Sequence, residues 1–401
     1  MRFSFVHTAD IHLGRAFSDI NFDLSAEQKT ILNTAHEKAL EELANFAVDK
    51  SVDFILIAGD TFDDCEQDLH SRLILSRFLS LMESEGISVY MVCGNHDPET
   101  SYSKDLSFKD SEKINIFGVN RQLAPLVVNK EGHDVATIYP FGFASNECRQ
   151  SPCEFLQKAV NKNVFNIGLI HCDMTTPNNV YAPCTERALA ELDYDYYALG
   201  HIHKPMIVDK FVYPGTIQGR SRKDEGEHGF RHVVVDNGNI ISNDFIVCDK
   251  VRFYNHKYSI TDDTSAIETV ENLIKELNSL VKGCKFIIIN LTLTGVCSYK
   301  KIDVEELRKS LSDDYIVVSG ITDNSVVDID IEQVATTGGV LSEIINLCSS
   351  EEACKVVLKE TEKELKEAFK LVEDVSGEEI LATSMNELKN ICAEVYGGED
   401  E

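Results

Sequence analysis

Phe3-Ser4-Phe5-Val6-His7-Thr8-Ala9-Asp10-Ile11-His12 opens on an apolar run that reads as a buried β-strand, then offers a carboxylate and an imidazole two residues apart. The same arrangement returns along the chain. Phe54-Ile55-Leu56-Ile57 leads to Gly59-Asp60-x-x-Asp63, and Val89-Tyr90-Met91-Val92 leads to Gly94-Asn95-His96-Asp97. Asn166-Ile167-Gly168-Leu169-Ile170 ends at His171, and Tyr196-Tyr197-Ala198-Leu199 ends at Gly200-His201-x-His203. Strands that each end in a carboxylate, carboxamide or imidazole point to one shared sheet edge. In open α/β sheets, ligands sit at the carboxyl ends of the strands.

The segments between these strands fit that layout. Ile31, Ala35, Ala39, Leu43, Phe46 and Ala47 recur at helical spacing, which predicts a helix over 24–50. A second is predicted over 69–85, with Gly86 as its C-cap. Strand–helix–strand alternation implies parallel crossovers. Residues 114–117 and 136–139 read as strands, 153–163 as a helix, and 185–192 as a short helix. Strands at 211–215 and 229–235 follow, with Asn237-Gly238 as a hairpin turn. This first domain is taken to span 1–250.

From 251 the alternation restarts without metal-type residues. Helices are predicted at 265–280 and 304–311, and strands at 284–293, 315–318 and 325–331. We read 251–338 as a smaller α/β cap domain. Residues 339–401 read as a helical segment, broken at Ser376-Gly377, with an acidic tail.

A chain of 401 residues exceeds what one core usually carries. Its net charge of -29 argues against a broad basic face for nucleic acid. Bound cations or a basic partner would have to supply local positive charge. The 12 cysteines form no C-x-x-C pair, and reduced, mostly buried thiols are expected. Cys172 follows His171 directly. The opening run is too short for a signal sequence, and no apolar run approaches the ~20 residues that span a bilayer. A cytoplasmic protein without membrane association is expected.

The ligand-type residues sort into two groups around a shared Asp60. Asp10, His12 and His203 would serve one ion; Asn95, His171 and His201 would serve the other. Nitrogen and oxygen donors without a thiolate suit Mn²⁺, Mg²⁺, Fe²⁺ or Zn²⁺ rather than softer metals. Two such ions can activate a water and clamp phosphoryl oxygens, so the pattern points to phosphate-ester hydrolysis. His96 is left either to protonate the leaving oxygen or to stabilise charge on the phosphoryl group. Asp63, three residues after Asp60, is read as orienting Asp60.

The order D-x-H, G-D-x-x-D, G-N-H-D, H, G-H-x-H resembles the calcineurin-like metallophosphoesterase superfamily, residue by residue. That resemblance implies a four-layer αββα sandwich and makes His96 the catalytic histidine. His7-Thr8-Ala9-Asp10-Ile11-His12-Leu13-Gly14, Gly59-Asp60-Thr61-Phe62-Asp63, Ala198-Leu199-Gly200-His201-Ile202-His203-Lys204 and Tyr213-Pro214-Gly215 are similar to the SbcD-like DNA-repair nucleases. Gly215-Thr216-Ile217-Gln218-Gly219-Arg220, followed by Glu225-Gly226 and Gly229, looks like their YhaO-type subgroup. What this implies is a manganese-dependent nuclease acting on DNA ends in double-strand-break repair. Its implied partners are an SbcC-type coiled-coil ATPase and a second copy of the chain.

Arg220, Arg222 and Lys223 form the densest basic cluster, and Arg220 and Arg222 are candidates for phosphate contact. The apolar residues of 339–396 would either dock on a partner coiled coil or pack on the cap domain. Two other functions fit the same motifs. One is hydrolysis of small or cyclic nucleotides, which the acidic charge favours. The other is a DNA-end-binding or regulatory role with weak activity.

Overall fold

The computed structural model describes residues 1–14, 17, 24–63, 68–102, 111–118, 122–176, 179–261, 265–281, 284–297, 303–327, 336 and 342. In chain order the first elements are β1 (Arg2–Thr8), α1 (Ala26–Asp49), β2 (Phe54–Ala58), α2 (Leu69–Ser84), β3 (Ser88–Val92) and β4 (Ile114–Phe117). Next come β5 (Leu126–Lys130), β6 (His133–Phe141), β7 (Phe165–His171), α3 (Glu186–Ala190), β8 (Tyr196–Gly200), β9 (Met206–Val208) and β10 (Phe211–Tyr213). The antiparallel pair β11 (Gly229–Asp236) and β12 (Asn239–Val247) follows.

These strands form two six-stranded mixed sheets, ordered β12-β11-β1-β2-β3-β4 and β5-β6-β7-β8-β10-β9. Period-2 alternation builds the space between them. Along β2, Phe54, Leu56 and Ala58 join the core shared with Ile138, Ile167, Leu169 and Tyr196 of the second sheet. Ile55 and Ile57 face the other way, onto Leu40, Leu43, Leu75 and Phe78 of the two long helices. Phe5 and Phe54 stack inside the sandwich with ring centroids 5.1 Å apart. Strands buried on both faces need continuous apolar runs, and these strands have them.

The long helices begin where their caps dictate. Ser25 Oγ accepts from Gln28 N at 3.1 Å, and Ser25 N donates to Gln28 Oε1 at 3.0 Å. Asp68 caps α2 by accepting from Ser71 N at 2.9 Å. The reverse turn between β11 and β12 places Asn237 and Gly238 at φ 49 and 78, the left-handed pair that a tight hairpin requires.

The outer layer on the second sheet is thinner than a helical layer. Tyr139, Tyr197, Leu199 and Tyr213 are covered by loops and the five-residue α3. The helix expected over 153–163 is absent. A single 3-10 turn, Pro152–Glu154, forms instead. Tertiary partners capture the backbone beyond it: Ala159 N donates to Leu192 O at 2.9 Å, and Val160 N to Tyr139 Oη at 3.0 Å.

The chain divides into two compact units, Met1–Tyr254 with Val281–Ile288, and Asn255–Leu280 with residues from Ile289 onward. The described elements here are β13 (Val251–Ile260), α4 (Ala266–Leu280), β14 (Phe286–Cys297), α5 (Val304–Leu311), β15 (Ile316–Asp323) and β16 (Val326–Val327). They make a four-stranded sheet in the order β13-β14-β15, with β16 pairing β14. Asp303 caps α5 by accepting from Glu306 N at 2.8 Å. The helices expected over 339–396 lie outside the described residues, apart from position 342.

Candidate metal centre

Each motif residue sits where its strand stops. β1, β2 and β3 of the first sheet deliver Asp10 and His12, Asp60 and Asp63, and Asn95 and His96. β7 and β8 of the second deliver His171, His201 and His203. Asp10, His12, Asp60 and His201 hold positive φ values of 51, 50, 50 and 103, a backbone cost that concentrates at functional sites. The turns are pinned to one another. His12 N donates to Asp60 O at 3.0 Å, His96 N to Asp60 Oδ1 at 2.8 Å, and His201 N to Asp10 Oδ2 at 3.0 Å.

Two motif glycines make this closeness possible. A Cβ at Gly94 would stand 2.0 Å from Asp60 Oδ1, and one at Gly200 would stand 1.9 Å from Ala58 O. Neither position has room for a side chain.

The side chains then converge. Donor atoms of Asp10, His12 and His203 lie within 4.8 Å of one another, and so do those of Asp60, His171 and His201. Asp60 Oδ2 stands between the groups, 3.9 Å from His12 Nε2 and 3.5 Å from His171 Nε2. Asn95 Oδ1 is 3.0 Å from both His171 Nε2 and His201 Nδ1.

The donor set fits cations. His171 Nδ1 must donate to Ala58 O at 2.8 Å, because a carbonyl can only accept. Its Nε2 faces Asn95 Oδ1 at 3.0 Å and Asp60 Oδ2 at 3.5 Å, so all three atoms could serve one cation. His12 repeats the pattern, with Nδ1 3.0 Å from Asp63 Oδ1 and Nε2 3.1 Å from His203 Nε2. His203 Nδ1 in turn faces Asp224 Oδ1 at 3.3 Å. A cation among these donors would take the lone pairs of several of them at once. Carboxylates holding the far nitrogen of an imidazole are the usual support of a metal-binding histidine.

Titration behaviour agrees. Burial, with Arg220, His203 and His96 nearby, holds His12 well below the ordinary histidine value. Burial and His171 lower His201 to about 4. Neutral imidazole is the form that binds metal. Burial pushes Asp60 up, yet His171, His12 and His96 outweigh it, and its carboxyl ends below the usual range. Burial raises Asp10.

Several supporting residues differ from the sequence-based expectation or escaped it. The Asp63 carboxylate lies beside two imidazoles, 3.0 Å from His12 Nδ1 and 3.8 Å from His96 Nδ1. It holds His12, and Arg220 Nη1 reaches it at 3.2 Å. Arg220 is only 3% exposed and is ion-paired with Asp63. Arg222 is exposed. Asp97 braces the site: it accepts from Thr61 N at 2.8 Å, Gly94 N at 2.9 Å and Tyr102 Oη at 3.0 Å. Burial, then the charge of Asp60, raises Asp97 to about 7. Asp224 carries no local sequence signal, since its partner His203 lies 21 residues away. His96 is 37% exposed, and its Nδ1 donates to Asp63 O at 2.9 Å. Arg15, another residue near the motifs, lies outside the described residues.

Comparison with known proteins places this site. The calcineurin-like phosphoesterase family model matches residues 3–205. An uncharacterized metallophosphoesterase of Bacillus subtilis, YhaO, is 28% identical over 73% of this chain and 72% of its own length. The DNA double-strand break repair protein Mre11 of Methanopyrus kandleri is 24% identical over 60% of this chain and 56% of its own. One component of the nuclease SbcCD of Escherichia coli is 26% identical over 34% of this chain and 32% of its own. A motif series laid along 3–205, an α/β sandwich of two mixed sheets and three His/Asp groups, of which His12, Asp60 and His96 link the other two, agree on one conclusion: the chain belongs to the calcineurin-like phosphoesterase family.

Proposed function

We propose that this chain is a two-metal phosphodiesterase that cuts DNA ends in double-strand-break repair. The observation that carries the reading is the convergence of Asp10, His12, Asp60, Asn95, His171, His201 and His203 beside a half-exposed His96. When bound, two divalent ions supply Lewis-acid activation of water and neutralise charge on the phosphoryl group. Asp10, His12 and His203 would hold one, Asn95, His171 and His201 the other, with Asp60 shared. Mn²⁺ is the metal we assign. His96 Nδ1 is committed to Asp63 O, so Nε2 is the nitrogen that hands a proton to the leaving oxygen. Arg222 meets the DNA phosphates, while Arg220 keeps His12 and His203 in register through Asp63.

Mre11 and the SbcCD component carry names of DNA-break and nuclease proteins, which supports DNA as substrate. The second of these names also supports an SbcC-type ATPase as partner. We further assign the cytoplasm as its place, a homodimer as its assembly, 251–338 as a cap domain and 339–401 as the helical segment that meets the ATPase.

The net charge of -29 favours a second reading, hydrolysis of a small or cyclic nucleotide. One assay decides. Linear double- and single-stranded DNA is incubated with Mn²⁺, Mg²⁺ or EDTA, beside bis-p-nitrophenyl phosphate. Mn²⁺-dependent DNA cleavage supports the first reading. Turnover of the small diester alone, with the partner ATPase present, moves the substrate to nucleotides.

A further inference from the structure

We propose that Cys172 and Cys184 form a reversible disulfide that slows the metal centre. Their sulfurs lie 3.5 Å apart, and Cys172 is buried while Cys184 is partly exposed. The two backbone segments are already paired. Cys184 N donates to Asp173 O at 3.1 Å, and Asp173 N donates to Tyr181 O at 3.0 Å. Closing the bond brings the sulfurs to about 2.05 Å, an approach of roughly 1.5 Å.

The backbone on the Cys172 side is held in place. Its N donates to Gly200 O at 3.2 Å, its O accepts from Tyr213 Oη at 3.0 Å, and it directly follows β7. What rotation of the two side chains does not supply, the 181–184 segment supplies. Tyr181 packs on His201 with ring centroids 4.9 Å apart, and Asp173 Oδ2 stands 3.9 Å from His201 Nε2. A shift of this segment disturbs the packing of one ligand of the centre. Cys153 belongs to the same apolar cluster and is the competing partner for Cys184.

The co-reactant is a low-molecular-weight disulfide such as glutathione disulfide. The Cys184 sulfur, as thiolate, attacks one sulfur of the reagent and releases one glutathione thiolate, leaving a mixed disulfide. The Cys172 sulfur then attacks the Cys184 sulfur and expels the second glutathione. The two protons lost by the protein thiols end on the two glutathiones. The protein pair is oxidised by two electrons, and the reagent is reduced by two.

The full chain is treated with glutathione disulfide, with and without Mn²⁺, then digested and mapped by mass spectrometry. A peptide linking Cys172 to Cys184 is expected. Hydrolysis of bis-p-nitrophenyl phosphate should fall roughly tenfold, the low end for disturbing groups around metal ligands. Dithiothreitol should restore it. Cys184→Ser should resist and Cys153→Ser should respond like the parent chain. Glutathione left on Cys184, a Cys153–Cys184 link, or a Cys172–Cys184 link with unchanged rate overturns the proposal. The rate readout rests on the phosphodiesterase reading, but the peptide map does not. If the reduced chain hydrolyses nothing, Mn²⁺ titration calorimetry replaces the rate: equal affinity of oxidised and reduced chains then overturns the coupling, and weaker affinity of the oxidised chain supports it.

Discussion

His12 and His203 face each other Nε2 to Nε2 at 3.1 Å, although they come from different sheets and stand 191 residues apart. Asp63 and Asp224 hold the far nitrogens of the two rings. This pairing spends two buried carboxylates to aim two lone pairs at one point. A divalent cation between the rings would take both lone pairs, and that yields the first test.

Asp224→Asn keeps the shape but removes the charge behind His203. Divalent-metal affinity should fall about 10- to 100-fold, as for other carboxylates that support metal-binding histidines. Isothermal titration with Mn²⁺ reads this directly. Unchanged affinity would mean that His203 is not a ligand.

His96→Ala should leave Mn²⁺ affinity close to that of the parent chain and lower turnover about 10²- to 10⁴-fold, the usual range for a lost acid or base. Metal content and kcat are measured on the same preparation. A variant that loses metal along with activity would make His96 a ligand instead.

Arg220→Ala should destabilise the chain by about 3 kcal/mol, because it leaves Asp63 without its cation beside buried histidines. Arg222→Ala, on the exposed side, should stay within about 0.5 kcal/mol while weakening DNA binding. Urea unfolding and a salt-dependent binding titration separate the two arginines.

Without metal, stability should drop on acidification. Burial lowers His7 to about 3 and His201 to about 4, and holds His12 well down. In the unfolded chain these groups take up protons near 6.5, and in the folded chain they do not. Their contribution is full above that value and is lost as pH falls below it, on the order of 3 kcal/mol for His201 alone. His203 runs the other way: burial lowers it, but Asp224 and Asp10 outweigh that and raise it above 6.5. Its stabilisation is present below 6.5 and is lost as pH rises through its folded value. Asp97, raised to about 7 by burial and Asp60, and Asp10, also raised by burial, likewise favour the folded chain as pH falls and offset part of the loss. The three depressed histidines outweigh them, so urea midpoints in EDTA should be lower at about pH 5 than at about pH 7.5. Equal midpoints would contradict this.

Gly200→Ala should cost at least about 1–3 kcal/mol, since its Cβ would meet the Ala58 carbonyl at 1.9 Å and the backbone must part. Thermal unfolding of the metal-free chain measures it.

The sequence by itself determined the strands and what hangs from them. Runs such as Phe54-Ile55-Leu56-Ile57 are apolar on both faces because both faces are buried, and a polar residue straight after such a run can only lie at the sheet edge. The periodicity of α1 and α2 was equally local. Residues 153–163 misled because helical periodicity is a weak preference, and bonds from Leu192 and Tyr139 supply the backbone partners that a helix would have supplied. Only the tertiary structure decided which carboxylate serves which imidazole. Asp63 meets His12, and Asp224 meets His203, through contacts that join loops from distant parts of the chain and leave no spacing to read. Burial of Arg220 was decided the same way: a guanidinium leaves water only where folding has already placed a carboxylate to receive it.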